Sequence, residues 1–177
     1  HICVFSIKKL MKSKENIVFL GMMGSGKSTI GSLVSKKLKL NFLDLDRQIE
    51  NELGMKISKI FETKGENFFR ELEEIIALKI LKRSRIVISL GGGTFMNKKV
   101  RKEVLTNHLS FWLQWNDEAL VKRIKNSKKR PIAIQSSKDE LLDLIKKRSS
   151  VYSRAHYKIN CDNLTKLEIV EKVIRNL

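Results

Sequence analysis

Apolar and polar residues are arranged in two alternating kinds of stretch. The runs Ile17-Val18-Phe19-Leu20 and Ile86-Val87-Ile88-Ser89-Leu90 carry no charged residue, and such runs predict strands buried on both faces, as in a parallel sheet. After the first run the pattern turns helical, with Ile30, Leu33, Val34 and Leu38 on one face of a helix over 27–38. A strand over 41–45 follows, then helical segments over 46–83 broken near Gly54 and Gly65. A helix over 97–106, a strand over 109–114 and a helix over 116–124 come next. Residues 125–137 lack periodicity and hold the only proline, Pro131, so they read as a loop. A helix over 138–153, a short strand over 158–161 and a helix over 165–176 close the chain. This order predicts one three-layer α/β/α domain over 11–177, built on a central, mostly parallel five-stranded sheet. Residues 1–10 read as an upstream extension.

Composition narrows the picture. The 177 residues are 42% hydrophobic, which suits one folded domain and excludes a disordered chain. No apolar run approaches the ~20 residues that span a bilayer, so no membrane is expected. The opening HICVFSIKKL lacks the apolar stretch and cleavage site of a signal peptide. Cys3 and Cys161 are too few for a disulfide framework or a structural zinc site, which points to a reducing, cytoplasmic setting. Lys+Arg 36 against Asp+Glu 19 gives a net charge of +17. That charge suits either nucleic-acid phosphates or a solvated lysine-rich surface. With 7% aromatic residues and no RNA-binding signature or Cys/His finger, the solvated surface is the expectation, and nucleic acid is not an expected partner.

The chemistry begins at the glycines. Gly21, Gly24 and Gly26 form one cluster and Gly91, Gly92 and Gly93 another, each directly after a predicted strand. Residues 21–29, GMMGSGKST, satisfy G-x-x-x-x-G-K-[ST]. Such a loop turns backbone N–H groups inward around phosphate oxygens, and the following helix adds its N-terminus. Gly24, Ser25, Gly26 and Thr29 belong to that cradle, Lys27 reaches the β- and γ-phosphates, and the Ser28 hydroxyl can ligate Mg²⁺. The pattern marks a nucleoside triphosphate site.

Phosphate-loop proteins commonly hold Mg²⁺ with a second carboxylate at the end of another strand. The run ending at Ser89-Leu90 has none, which leaves Asp44 and Asp46 in FLDLD. If the strand persists, both point the same way, one toward metal and one toward a phosphoryl acceptor. Asp46 also reads as the N-cap of the next helix. The glycine triplet, at the same predicted sheet edge, would let a small polar ligand lie against bare backbone.

Together these motifs resemble the shikimate kinase family. The resemblance covers 16–162 and rests on GMMGSGKST, DLD, FETKGENFFRELE, GGG, RPI and RSSVY, in that order. It implies a phosphate-loop kinase fold with a mobile lid over 125–137, and transfer of the γ-phosphoryl of ATP, with Mg²⁺, to the 3-hydroxyl of shikimate in aromatic amino-acid biosynthesis. The matching positions put Arg70 and Arg148 on the shikimate carboxylate, which guanidinium binds with two parallel hydrogen bonds. Asp46 falls on the acceptor hydroxyls, Gly91, Gly92 and Gly93 under the substrate ring, and Glu73 one turn after Arg70, where it would orient the guanidinium. Arg130 matches the lid arginine that offsets charge in the transition state, and Arg123 matches the arginine that stacks on adenine. The family often has an arginine flanking adenine where CDNLTK places Leu164 and Thr165, leaving adenine to Asn163, backbone and Arg123. ATP and shikimate are the expected partners, and a monomer the expected state.

Two alternatives stand beside this one. A kinase of another small hydroxy acid, such as gluconate, fits the same scaffold, and a basic nucleic-acid-binding ATPase fits the charge. His1, His108, His156, Trp112 and Trp115 show no metal spacing or stacking pattern, and no chemistry is assigned to them.

Overall fold

β1 (Ile17–Leu20) is buried along its whole length because it runs through the middle of a five-stranded sheet. β3 (Ile86–Ser89) pairs with it on one side and β4 (Leu109–Gln114) on the other. β2 (Asn41–Asp44) and β5 (Tyr157–Asn160) form the edges, giving the order β2-β3-β1-β4-β5. Every pairing is parallel, so the carboxyl ends of all strands open on one rim, where ligands of such sheets bind. The computed structural model describes residues 15–126 and 136–177. The expected extension over 1–10 and most of the expected lid, with Arg130 and Pro131, lie outside the described residues.

Strand alternation divides the core between two faces. Ile17, Phe19, Val87, Phe111 and Leu113 pack with Ile30, Val34 and Leu38 of α1 (Lys27–Leu38) and with Ile169, Val170 and Val173 of α7 (Lys166–Arg175). On the other face, Val18, Leu20, Ile86, Ile88 and Trp112 meet α2 (Leu45–Leu53), α3 (Ile57–Leu81), α4 (Lys98–Asn107), α5 (Asp117–Lys125) and α6 (Lys138–Tyr152). The expected three layers and five strands are therefore present, and the sheet is parallel throughout.

Local chemistry sets the element ends. Thr165 and Glu168 form a reciprocal capping box at the start of α7, as Ser137 and Glu140 do for α6. Gly65, at φ 81° and ψ 171°, kinks α3 where a break is expected. One boundary differs from expectation. β2 stops at Asp44, and the buried Leu45 already opens α2. Asp44, not Asp46, is the helix cap, accepting from the Arg47 N–H at 3.2 Å. Strand alternation therefore does not align the two acids. Asp44 accepts from Ser28, whereas Asp46 lies beside Gly91. A short 3₁₀ turn over Thr94–Met96, which periodicity does not foretell, follows the glycine triplet.

Candidate active site

The loop between β1 and α1 has the conformation that its glycines permit. Gly24 and Gly26 sit at φ 78° and 93°, a region costly for residues with a Cβ. Gly26 caps α1 without a side-chain bond, so the first-turn N–H groups of the helix have no side-chain acceptor at the cap. The Lys27 ammonium is buried and folds back over the loop, donating to the Gly21 and Met22 carbonyls at 2.8 Å each. Ser28 and Thr29 are exposed in the same first turn. The Ser28 hydroxyl donates to Asp44 Oδ2. A hydroxyl beside a carboxylate is a pair of hard oxygen donors that suits Mg²⁺, a cation that commonly takes only one or two protein ligands and completes its shell with phosphate and water.

The glycine triplet joins this loop to the second half of the site. A Cβ placed on Gly91 would lie 2.8 Å from Asp46 Oδ1, from Glu73 Oε1 and from Thr94 Oγ1. One on Gly92 would lie 3.2 Å from the Met23 nitrogen of the phosphate loop and 3.4 Å from Arg148 Nη1. One on Gly93 would lie 2.5 Å from Arg70 Nη1. Three bare residues are thus wedged between Asp46, Glu73, Arg70, Arg148 and the phosphate loop, whose Met22 carbonyl also holds Lys27. The residues expected at the site, from Gly24 to Arg148, converge on this rim; Arg130 falls outside the described residues.

Arg70 is held on several sides. Nη1 donates to Glu73 Oε2 at 2.7 Å, while Nε and Nη2 donate to Glu66 Oε1 at 3.2 and 3.1 Å. The guanidinium carbon lies 5.2 Å from the Phe69 ring centre and 5.9 Å from that of Phe61. Burial works against its charge, but Glu73 and Glu66 outweigh that effect and raise the pKa above the ordinary arginine value. Glu73, itself buried, accepts a further bond from Thr94 Oγ1 at 2.6 Å. The expected contact of Glu73 with Arg70 is therefore present.

Some residues here escape sequence reasoning. Trp115, assigned no chemistry above, donates from its indole to the Ser25 carbonyl at 2.9 Å and lies under Arg123, whose guanidinium carbon is 4.1 Å from the ring centre. Arg123 donates from Nε to the Gly24 carbonyl at 2.9 Å. The Tyr152 hydroxyl, the last residue of RSSVY, donates to the Gly92 carbonyl. Glu66 was not singled out, although its place four residues before Arg70 is the helical spacing that could have found it. Nothing local ties Trp115 to a loop 90 residues earlier.

Comparison with known proteins agrees with this geometry. The family model for shikimate kinase matches residues 23–177. A shikimate kinase of Sulfurihydrogenibium sp. is 37% identical over 163 residues, spanning 92% of this chain and 98% of its own. That of Bacillus subtilis is 38% identical over 172 residues, spanning 93% and 89%. The structure of shikimate kinase from Acinetobacter baumannii in complex with shikimate superposes with a TM-score of 0.87 at 30% identity, covering 95% of each chain. With the phosphate loop, Arg70, Arg148 and the glycine wedge on one rim, the chain belongs to the shikimate kinase family.

Proposed function

We propose that this chain transfers the γ-phosphoryl of ATP to the 3-hydroxyl of shikimate, releasing ADP and shikimate 3-phosphate. The observation that carries the reading is the glycine wedge. Gly92 abuts the phosphate loop, while Gly91 and Gly93 abut Asp46, Glu73 and Arg70, so donor and acceptor sites share one wall.

In this reading Gly24, Ser25, Gly26, Lys27, Ser28 and Thr29 hold the triphosphate and Arg123 faces adenine. Arg70 and Arg148 bind the acceptor carboxylate by parallel hydrogen bonds, with the ring against Gly91, Gly92 and Gly93. Asp46 aligns the hydroxyl and takes its proton as the new oxygen–phosphorus bond forms and the bond to the β-phosphate breaks. Lys27 offsets the charge on the transferring oxygens, and the resemblance gives Arg130 the same task. Ser28 would ligate Mg²⁺ directly and Asp44 through water; the ion, when bound, neutralises charge on the β- and γ-phosphates. Positioning supplies most of the rate, because the transition state of phosphoryl transfer is loose. Among the described residues one chain supplies the named groups, which supports a monomer as the working unit. Among the described residues no helix is long and apolar enough to cross a membrane, and a cytoplasmic location is part of the proposal.

A coupled ADP-release assay tests the reading. Shikimate should drive ADP formation and gluconate should not, and DNA or RNA should leave the rate unchanged. Turnover with gluconate alone, or hydrolysis that rises with nucleic acid and collapses with salt, would overturn it.

A further inference from the structure

Trp115 stands one residue past the end of β4, on the rim of the phosphate loop but outside its sequence motif. Its indole N–H holds the Ser25 carbonyl, and Arg123 holds the neighbouring Gly24 carbonyl, each at 2.9 Å. The Arg123 guanidinium carbon lies over the Trp115 ring, 4.1 Å from its centre, a cation–π distance. Two consecutive peptide units of the loop are thus gripped through their oxygens.

The consequence follows from peptide geometry. In a planar trans peptide the C=O and N–H point in opposite directions. Fixing the Ser25 carbonyl toward Trp115 therefore turns the Gly26 N–H away from it, at the residue that caps α1. Gly24 and Gly26 lie on either side of Ser25 at positive φ, and glycines resist reorientation poorly, so an external anchor has something to hold. The same ring lies against the Arg123 guanidinium on one side. Arg123 is exposed whereas Trp115 is half-buried, so the guanidinium stays open to a ligand on the side away from the indole.

We infer that Trp115 is a positioning residue for the nucleotide, presetting the Ser25–Gly26 peptide for a phosphate oxygen and holding Arg123 flat for adenine. The inference rests on the assignment of Arg123 to the nucleotide side. Trp115→Phe keeps the ring and removes the donor; Trp115→Leu removes both. The KM for ATP should rise about three- to tenfold in Trp115→Phe, the scale of one lost hydrogen bond, and further in Trp115→Leu. The KM for shikimate and kcat should stay within about twofold. A merely structural role would move both KM values and kcat together.

A second measurement avoids dependence on either variant. The chain has two tryptophans, so Trp112→Phe leaves Trp115 as the sole indole. Its fluorescence should change on titration with ADP and not with shikimate alone. An unchanged ATP KM in Trp115→Phe, or a Trp115 signal indifferent to ADP, would overturn the inference. Arg123→Ala separates the two levels. If it raises the KM for ATP while Trp115→Phe does not, only the role of Trp115 falls. If neither variant does, the assignment of Arg123 falls with it.

Discussion

Asp46 and Arg148 touch the glycine wedge from different elements, and their chemistry predicts different losses. Asp46→Asn keeps shape but cannot take a proton, so kcat should fall by about 10²-fold or more. Arg148→Lys keeps charge but loses the planar fork that matches a carboxylate, and kcat/KM for shikimate should fall by at least about tenfold. Steady-state kinetics with shikimate read both, and calorimetric titration with ADP should give unchanged affinity in each, because neither residue belongs to the nucleotide cradle. Weakened ADP binding in either variant would count against the division of the site into two halves. Part of this scale was legible beforehand. The spacing of Arg70 and Glu73 places both on one helical face, and the structure shows Glu73 on the guanidinium, joined there by Glu66, which the sequence reading did not name. The approach of Phe61 to Arg70 was not legible, because it depends on how the kink at Gly65 aims the first arm of α3.

At the scale of elements, the site depends on how closely α1 lies on the sheet. Gly31 lets that helix approach β2: a Cβ there would meet the Phe42 ring at 2.7 Å and the Phe19 ring at 3.4 Å. α1 carries Ser28, and β2 ends in Asp44, its hydrogen-bond partner. Gly31→Ala should therefore push the helix outward, costing about 1–3 kcal/mol of stability as overpacking does. It should also raise the KM for ATP by pulling Ser28 from Asp44. Urea unfolding and steady-state kinetics check the two effects together; a stable variant with normal ATP kinetics would show that α1 has room to spare. Helix and strand identities were readable at this scale because their hydrophobic periods differ. The start of α2 was not. Alternation in FLDLD continues smoothly through Leu45, whereas the buried Leu45 opens a helix capped by Asp44.

Across the whole molecule, the rim opposite the site is pinned by a buried polar cluster. Asn16, fully buried, donates from its amide to the Leu81 and Arg83 carbonyls at 3.2 and 2.7 Å and accepts from the Ile86 N–H at 3.1 Å. Its backbone N–H donates to His108 Nδ1 at 3.2 Å, which requires a neutral imidazole. Burial holds the His108 pKa below its ordinary value, although Glu103 and Glu15 pull it upward. The unfolded chain restores the ordinary value near 6.5, so between the two pKa values the unfolded state binds more protons. The contribution is present above about pH 6.5 and is lost as the pH falls through the folded-state pKa. The urea midpoint should drop from about pH 7.5 to about pH 5.5, and His108→Gln should flatten that segment of the curve. An identical slope in the variant would assign the titration to other groups.

What the chain by itself determined was the list of parts. A triphosphate loop, two carboxylates and a bare glycine triplet were visible because each is a local pattern of residue types whose chemistry does not depend on distant neighbours, and the family resemblance added Arg70 and Arg148. The strand-helix order followed for the same reason, since periodicity is local. Only the tertiary structure decided which parts touch. Parallel pairing of β1 with β3 and β4 brings three loops to one rim, setting Gly92 against Met23 and Trp115 against Ser25. Those contacts join residues tens of positions apart, and their geometry is set by the packing of whole layers, which no window of sequence contains.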